Sequence, residues 1–208
     1  MTAVKRSYQS SRRDEAALAT RRSILAAATE LFLHQGYGAT TIDQIAARAG
    51  VSRPTVFATG SKAQLLKLAR DVAMAGDDDD DVTSRDRFQR MLAEPDAGTS
   101  LDLFAEHVAG LLGRYAELDQ VVRSASGTDP EVYALWQSSE DQRLKAARLV
   151  AANLAGKATL SVPRREAAEV LWLLMAPDVY HRLVVVRRWS TRRYSRWLAS
   201  TLRDQLLG

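Results

Sequence analysis

The chain has 208 residues, 46% hydrophobic and 26% charged, with no cysteine, so it is a globular composition from which disulfides, thiolate metal sites and cysteine nucleophiles are excluded. No apolar run approaches the roughly 18 residues of a membrane span, and the charged stretch up to Arg22 lacks a signal-peptide core, so a cytoplasmic protein without a membrane partner is expected. The net charge of +4 is uneven: residues 1–75 carry eleven Lys and Arg against five Asp and Glu, whereas residues 76–208 carry 18 against 20.

Lys5, Arg6, Arg12, Arg13, Arg21 and Arg22 precede Ile24, opposed only by Asp14 and Glu15. Residues 1–19 therefore read as a basic flexible arm, the footprint of a polyanion binder or simply a solvated tail. From Thr20 the apolar positions Ile24, Leu25, Ala28, Leu31 and Phe32 share one helical face, and Gly36 is placed to end that helix. Thr41 is an N-cap for a short helix over 42–49 with Ile45, Ala46 and Ala49 inward, followed by a turn at Gly50. Ser52 caps a third helix with Pro54 in its first turn, where a missing N–H is harmless. Ser61 caps a fourth over 62–75, with Leu65, Leu66, Ala69 and Val72 as its stripe.

Gly76 and the run Asp77 to Asp81 follow. Five adjacent carboxylates diverge from a helix or loop and cannot converge on one ion, so residues 76–100 read as a linker and no metal is expected. Helical spacing resumes over 101–114 and 115–126. Asp129-Pro130 opens a long helix to about residue 154, closed by Gly156. Residues 163–186 form another, which Pro177 should kink or break, and Ser190 caps a last helix over 191–207. About nine helices and no strand make the chain all-α: a small N-terminal domain over 20–75 and a larger helical one over 101–208.

The segment 41–59 carries the chemistry: a short helix, a glycine turn and a second capped helix, an arrangement that buries one helix face and projects the other helix outward. That second helix begins Ser52-Arg53-Pro54-Thr55. An arginine can pair with guanine O6 and N7, and a threonine methyl can meet a thymine methyl. The Thr41 hydroxyl, the amides of the helix it caps, and Lys62 beside another helix start are candidate phosphate contacts. Ser52, Thr41 and Ser61 are equally explained as caps alone, and Arg53 and Thr55 as exposed helix residues.

On these residues the stretch RRSILAAATELFLHQGYGATTIDQIAARAGVSRPTVFATGSK, 21–62, resembles the N-terminal DNA-binding domain of tetracycline-repressor-like (TetR) regulators. The resemblance implies a helix-turn-helix domain and a C-terminal helical domain that dimerises and binds an effector. It implies double-stranded operator DNA as partner, a homodimer built on the last two helices, an unknown small-molecule inducer, and no cofactor. The positions it assigns to DNA are Thr41, Ser52, Arg53, Pro54, Thr55, Phe57, Thr59 and Lys62. One departure stands out: the family usually has a tyrosine, then two residues later an aromatic pair, before Ser-Lys. Here the segment is Phe57-Ala58-Thr59-Gly60-Ser61-Lys62, one residue shorter, so the tyrosine hydroxyl is missing and Thr59 is the candidate replacement.

In the C-terminal domain, Phe104, His107, Leu111, Tyr115, Trp136, Trp172 and Met175 are candidates to line an effector pocket, each equally readable as core packing. His34, His107 and His181 lie in no metal-ligand spacing. Seven arginines between His181 and Asp204, with no acid among them, read as a solvated rim around a dimer interface. The chain shows no catalytic residues: HExxH, GxSxG and a phosphate-cradling glycine loop are all absent. The expected function is a ligand-released homodimeric repressor. The alternatives are a DNA-binding helical regulator without an effector, distinguished by a filled C-terminal core, and an all-helical small-molecule enzyme.

Overall fold

A computed structural model describes residues 3–76 and 86–208, with side chains from Glu15 onward. The Asp77 to Asp81 run lies outside the described residues. The described residues contain ten α-helices and no strand: α1 (Ala3–Ala39), α2 (Ile42–Ala49), α3 (Arg53–Thr59), α4 (Lys62–Ala75), α5 (Asp86–Ala93), α6 (Ala97–Ala125), α7 (Pro130–Ala155), α8 (Arg164–Leu174), α9 (Pro177–Tyr180) and α10 (Thr191–Leu206). The chain divides into two compact units, Met1–Asp71 and Val72–Gly208.

In the N-terminal unit, α1 packs on α2 and α2 on α3. Its buried residues are those of the helical stripes: Ile24, Ala28 and Phe32 of α1, Ile45 and Ala46 of α2, Val56 of α3, and Leu65 and Leu66 of α4. The helix α1 begins far earlier than Thr20. Residues 3–19, read as a flexible arm, continue it as helix backbone, because Lys, Arg, Gln, Glu and Ala dominate there and all favour the helix. Gly36 interrupts α1 at φ 79°, ψ 170°, a conformation that L side chains avoid. The chain then turns through Tyr37, which stacks on Phe32 with centroids 5.8 Å apart.

The C-terminal unit is built round α6, which packs on α5, α7, α9 and α10. Three boundaries differ from the sequence reading. Half of the expected linker 76–100 is helical: α5 buries Phe88 and Met91 in the core of this unit, and α6 starts at Ala97, capped by Asp96. The helices expected over 101–114 and 115–126 are one, since the buried stripe runs through Tyr115, Ala116, Leu118 and Val122 without a breaker. Pro177 does break its helix, at Ala176, after which α9 passes into a π-helical turn, His181–Val186. Asp129 and Ser190 cap α7 and α10 as their sequences suggest. The last helix supplies Tyr194, Leu198, Leu202 and Leu206 to the core.

Candidate nucleic-acid interface

The two short helices are held by their caps. The Thr41 hydroxyl accepts from the Gln44 amide at 3.2 Å, while Gln44 Oε1 accepts from the Thr41 amide at 2.9 Å, a reciprocal pair that fixes the start of α2. Ser61 and Gln64 repeat the arrangement at the start of α4, at 3.2 and 2.9 Å. The two glutamines were readable from the Thr-x-x-Gln and Ser-x-x-Gln spacing, yet only the caps were singled out. At α3, Ser52 accepts from the Thr55 amide at 3.4 Å, and the two hydroxyls lie 2.8 Å apart. Pro54 occupies the first turn of α3.

Helix α3 rests on one buried residue, Val56. Ser52, Arg53, Pro54 and Ala58 are exposed, Phe57 is 52% exposed, and Thr55 and Thr59 are half-buried. A seven-residue helix anchored at one point presents the rest of its circumference outward, so Arg53, Pro54 and Phe57 stand together on an accessible face. Arg53 is not loose. Its guanidinium pairs with Asp43 of α2 at 3.4 Å and lies 5.5 Å from the Phe57 ring centroid. Asp43 was missed in the sequence because its partner sits ten residues on, in the next helix. Both side chains are mostly exposed, so the pair orients the arginine at little energetic cost to break.

Lys62 stands at the start of α4 and has partners within the fold. Its ammonium donates to the carbonyls of Tyr37 and Thr40 at 3.0 and 3.2 Å and sits 4.1 Å from the Tyr37 ring centroid. Those carbonyls follow the break at Gly36; that of Tyr37 also accepts from the Thr40 amide at 3.3 Å, so the lysine ties this turn together. Thr59, the candidate replacement for a tyrosine hydroxyl, donates to the carbonyl of Thr55 at 3.3 Å. Gly60 ends α3 at φ 153°, where a Cβ would lie 2.8 Å from Gln64 Oε1, so a larger residue would crowd the glutamine that accepts from the Ser61 amide.

The candidate pocket residues separate into two groups. Phe104, His107, Tyr115 and Met175 are buried in the core of the C-terminal unit, with Leu111 and Trp172 partly buried against it. The His107 ring lies 5.5 Å from that of Phe88. Trp136 is half-buried and pairs with Tyr133 at 5.7 Å, apart from that cluster. Among the described residues no group of three or more His, Cys, Asp or Glu could hold a metal, and no helix is long and apolar enough to cross a membrane.

Residues 24–69 match the family described as bacterial regulatory proteins, tetR family. No curated protein matches the sequence significantly. Among solved structures, a protein from Syntrophomonas wolfei described as a TetR-family transcriptional regulator is 18% identical, covering 91% of this chain and 95% of its own, with a TM-score of 0.69. NalD, the secondary repressor of the MexAB-OprM multidrug efflux pump in Pseudomonas aeruginosa, is 22% identical over 92% of this chain and 98% of its own, TM-score 0.66. A transcriptional regulator from Saccharomonospora viridis, solved in complex with choline, is 21% identical over 89% and 96%, TM-score 0.65. Residues 24–69 thus place the N-terminal domain in the tetR family of bacterial regulatory proteins, in a chain with the all-α fold that these structures share.

Proposed function

We propose that the protein is a sequence-specific DNA-binding transcriptional regulator, a homodimeric repressor that a small-molecule ligand releases from a palindromic operator. The observation that carries this reading is α3, anchored by Val56 alone and exposing Arg53, Pro54 and Phe57 on one face. Arg53 reads a guanine edge, Thr55 and Phe57 meet thymine methyls, and the capped starts of α2 and α3 orient backbone amides toward phosphates. The basic N-terminal residues add salt-sensitive affinity. For the homodimer, the support is apolar surface on the last helices: Leu173 of α8 is 57% exposed and Val186, just before α10, 63%. NalD is a repressor and the S. viridis protein binds choline, which supports ligand-responsive repression here.

The test is a protection assay on the DNA upstream of the protein's own coding sequence, at fixed salt. A protected inverted repeat is expected, with Arg53→Ala weakening binding by about 1–3 kcal/mol and relaxing the sequence preference. Binding without sequence preference, or an Arg53→Ala protein that binds as well as the parent, overturns the reading.

A further inference from the structure

Arg143 of α7 and Trp172 of α8 meet across the contact between those two helices, the guanidinium 5.2 Å from the ring centroid. The arginine side chain is only 12% exposed. Its charge is balanced by Glu140, one turn earlier on α7, which pairs with a terminal guanidinium nitrogen and is itself 22% exposed. The balance is incomplete. Arg143 Nε and Trp172 Nε1 are both buried and neither has a hydrogen-bond partner. A guanidinium carries five N–H donors in a planar fork and an indole carries one, so Nε and Nε1 are donors on facing helices to which the fold supplies no acceptor. On the same two helices, Ala146, Ala147, Val150, Val170 and Leu171 are apolar members or neighbours of the core.

Buried donors are ordinarily satisfied, and one left open on each of two facing helices calls for an acceptor from outside. We infer that the Arg143–Trp172 pair is the recognition element for a small organic carboxylate with an apolar body. The ligand's carboxylate accepts from Arg143 Nε and Trp172 Nε1, and its body lies among the neighbouring aliphatic side chains. Glu140 shows that the guanidinium already holds a carboxylate in this setting. It is the more exposed partner of its pair and it competes with the incoming anion for Arg143, turning toward solvent when displaced. That such a ligand is the effector that releases DNA rests on the proposed function; that it binds here does not.

The experiment uses the full chain in calorimetric and thermal-shift titrations with matched pairs at constant ionic strength: benzoate against benzamide, phenylacetate against phenylacetamide, octanoate against octanamide. At least one carboxylate is expected to bind more tightly than its amide by about tenfold or more, the scale of a charge-assisted hydrogen bond. Arg143→Met should abolish that preference, and Trp172→Phe, which keeps a ring and removes the N–H, should weaken it. Glu140→Gln, which removes the competing charge, should tighten carboxylate binding. Should Arg143→Met fail to fold, Arg143→Lys keeps the charge without the fork and is expected to lose most of the preference. No binding by any of the three carboxylates, equal binding of acids and amides, as a bridging water in place of a ligand would give, or an unchanged preference in Glu140→Gln and Trp172→Phe overturns the inference. Operator binding by the ligand-free protein is measured separately. Its failure sinks the regulator reading and leaves the acid preference standing, while indifference to carboxylates with intact operator binding sinks this inference alone.

Discussion

An ammonium that donates to two carbonyls and rests on an aromatic face, as Lys62 does at Tyr37 and Thr40, has one N–H left for anything else. Lys62→Met should therefore lower stability by about 1.5–3 kcal/mol, the range for hydrogen bonds to charged groups. The dependence of operator affinity on salt should stay as in the parent, whereas a lost phosphate contact would reduce the slope by about 1. Chemical denaturation and a salt series of binding curves measure the two quantities. The sequence placed Lys62 beside a helix start but could not supply its partners, which lie 22 and 25 residues earlier, beyond two intervening helices. Asp43 was hidden for the same reason: an ion pair between consecutive helices depends on their crossing angle, which no local pattern encodes. Ser52, Thr41 and Ser61 were legible because a cap acts on amides two or three residues away.

Helix ends are where local chemistry decides structure, and two of them give direct tests. Gly36 adopts φ 79° with nothing within 4 Å of the position a Cβ would take, so Gly36→Ala meets backbone strain and no clash. A loss of about 1–3 kcal/mol is expected by thermal unfolding. Asp96 caps α6, accepting from the Thr99 amide at 2.7 Å, and that bond holds its carboxyl below the ordinary range. A carboxylate with a lowered folded pKa contributes stability that is fully present above its unfolded value and is lost as pH falls through the folded one. Asp96→Asn keeps a capping oxygen and removes the charge. The difference in melting temperature between parent and variant should therefore be largest near neutral pH and shrink below about pH 4. Elements with such signals were read well from sequence: α2, α3, α7 and α10 begin where their caps stand. The failures lack one. Helix α5 sits inside a stretch rich in Asp and Arg, where two buried apolar residues, Phe88 and Met91, decide its fate through tertiary burial. The π-helical turn after α9 has no compositional mark at all.

For the whole molecule, the all-α class and the N-terminal domain were legible because amphipathic spacing and capping agree over residues 20–75. The C-terminal domain was legible only as helix, since long buried stripes carry no information about which helix they face. Its outward apolar residues make the proposed assembly testable. Leu173→Glu puts a charge on a surface that, in a homodimer, would be desolvated. The variant should run as a monomer in light scattering at concentrations where the parent is a dimer, with a melting temperature for the monomer close to the parent's. A parent that is itself monomeric over the micromolar range would refute the dimer.

Because α10 packs along α6, the larger unit draws its core from stretches of chain about seventy or more residues apart, whereas in the small unit α1 packs on α2 and α2 on α3, and the Lys62 bonds of α4 reach back only 22 and 25 residues. During synthesis the small unit can therefore assemble while the ribosome is still working, and the face of α6 that meets α10 must wait uncovered until α10 emerges. A stop codon before residue 191 would leave a nascent protein with a complete head and one apolar face of α6 open to chaperones and proteases.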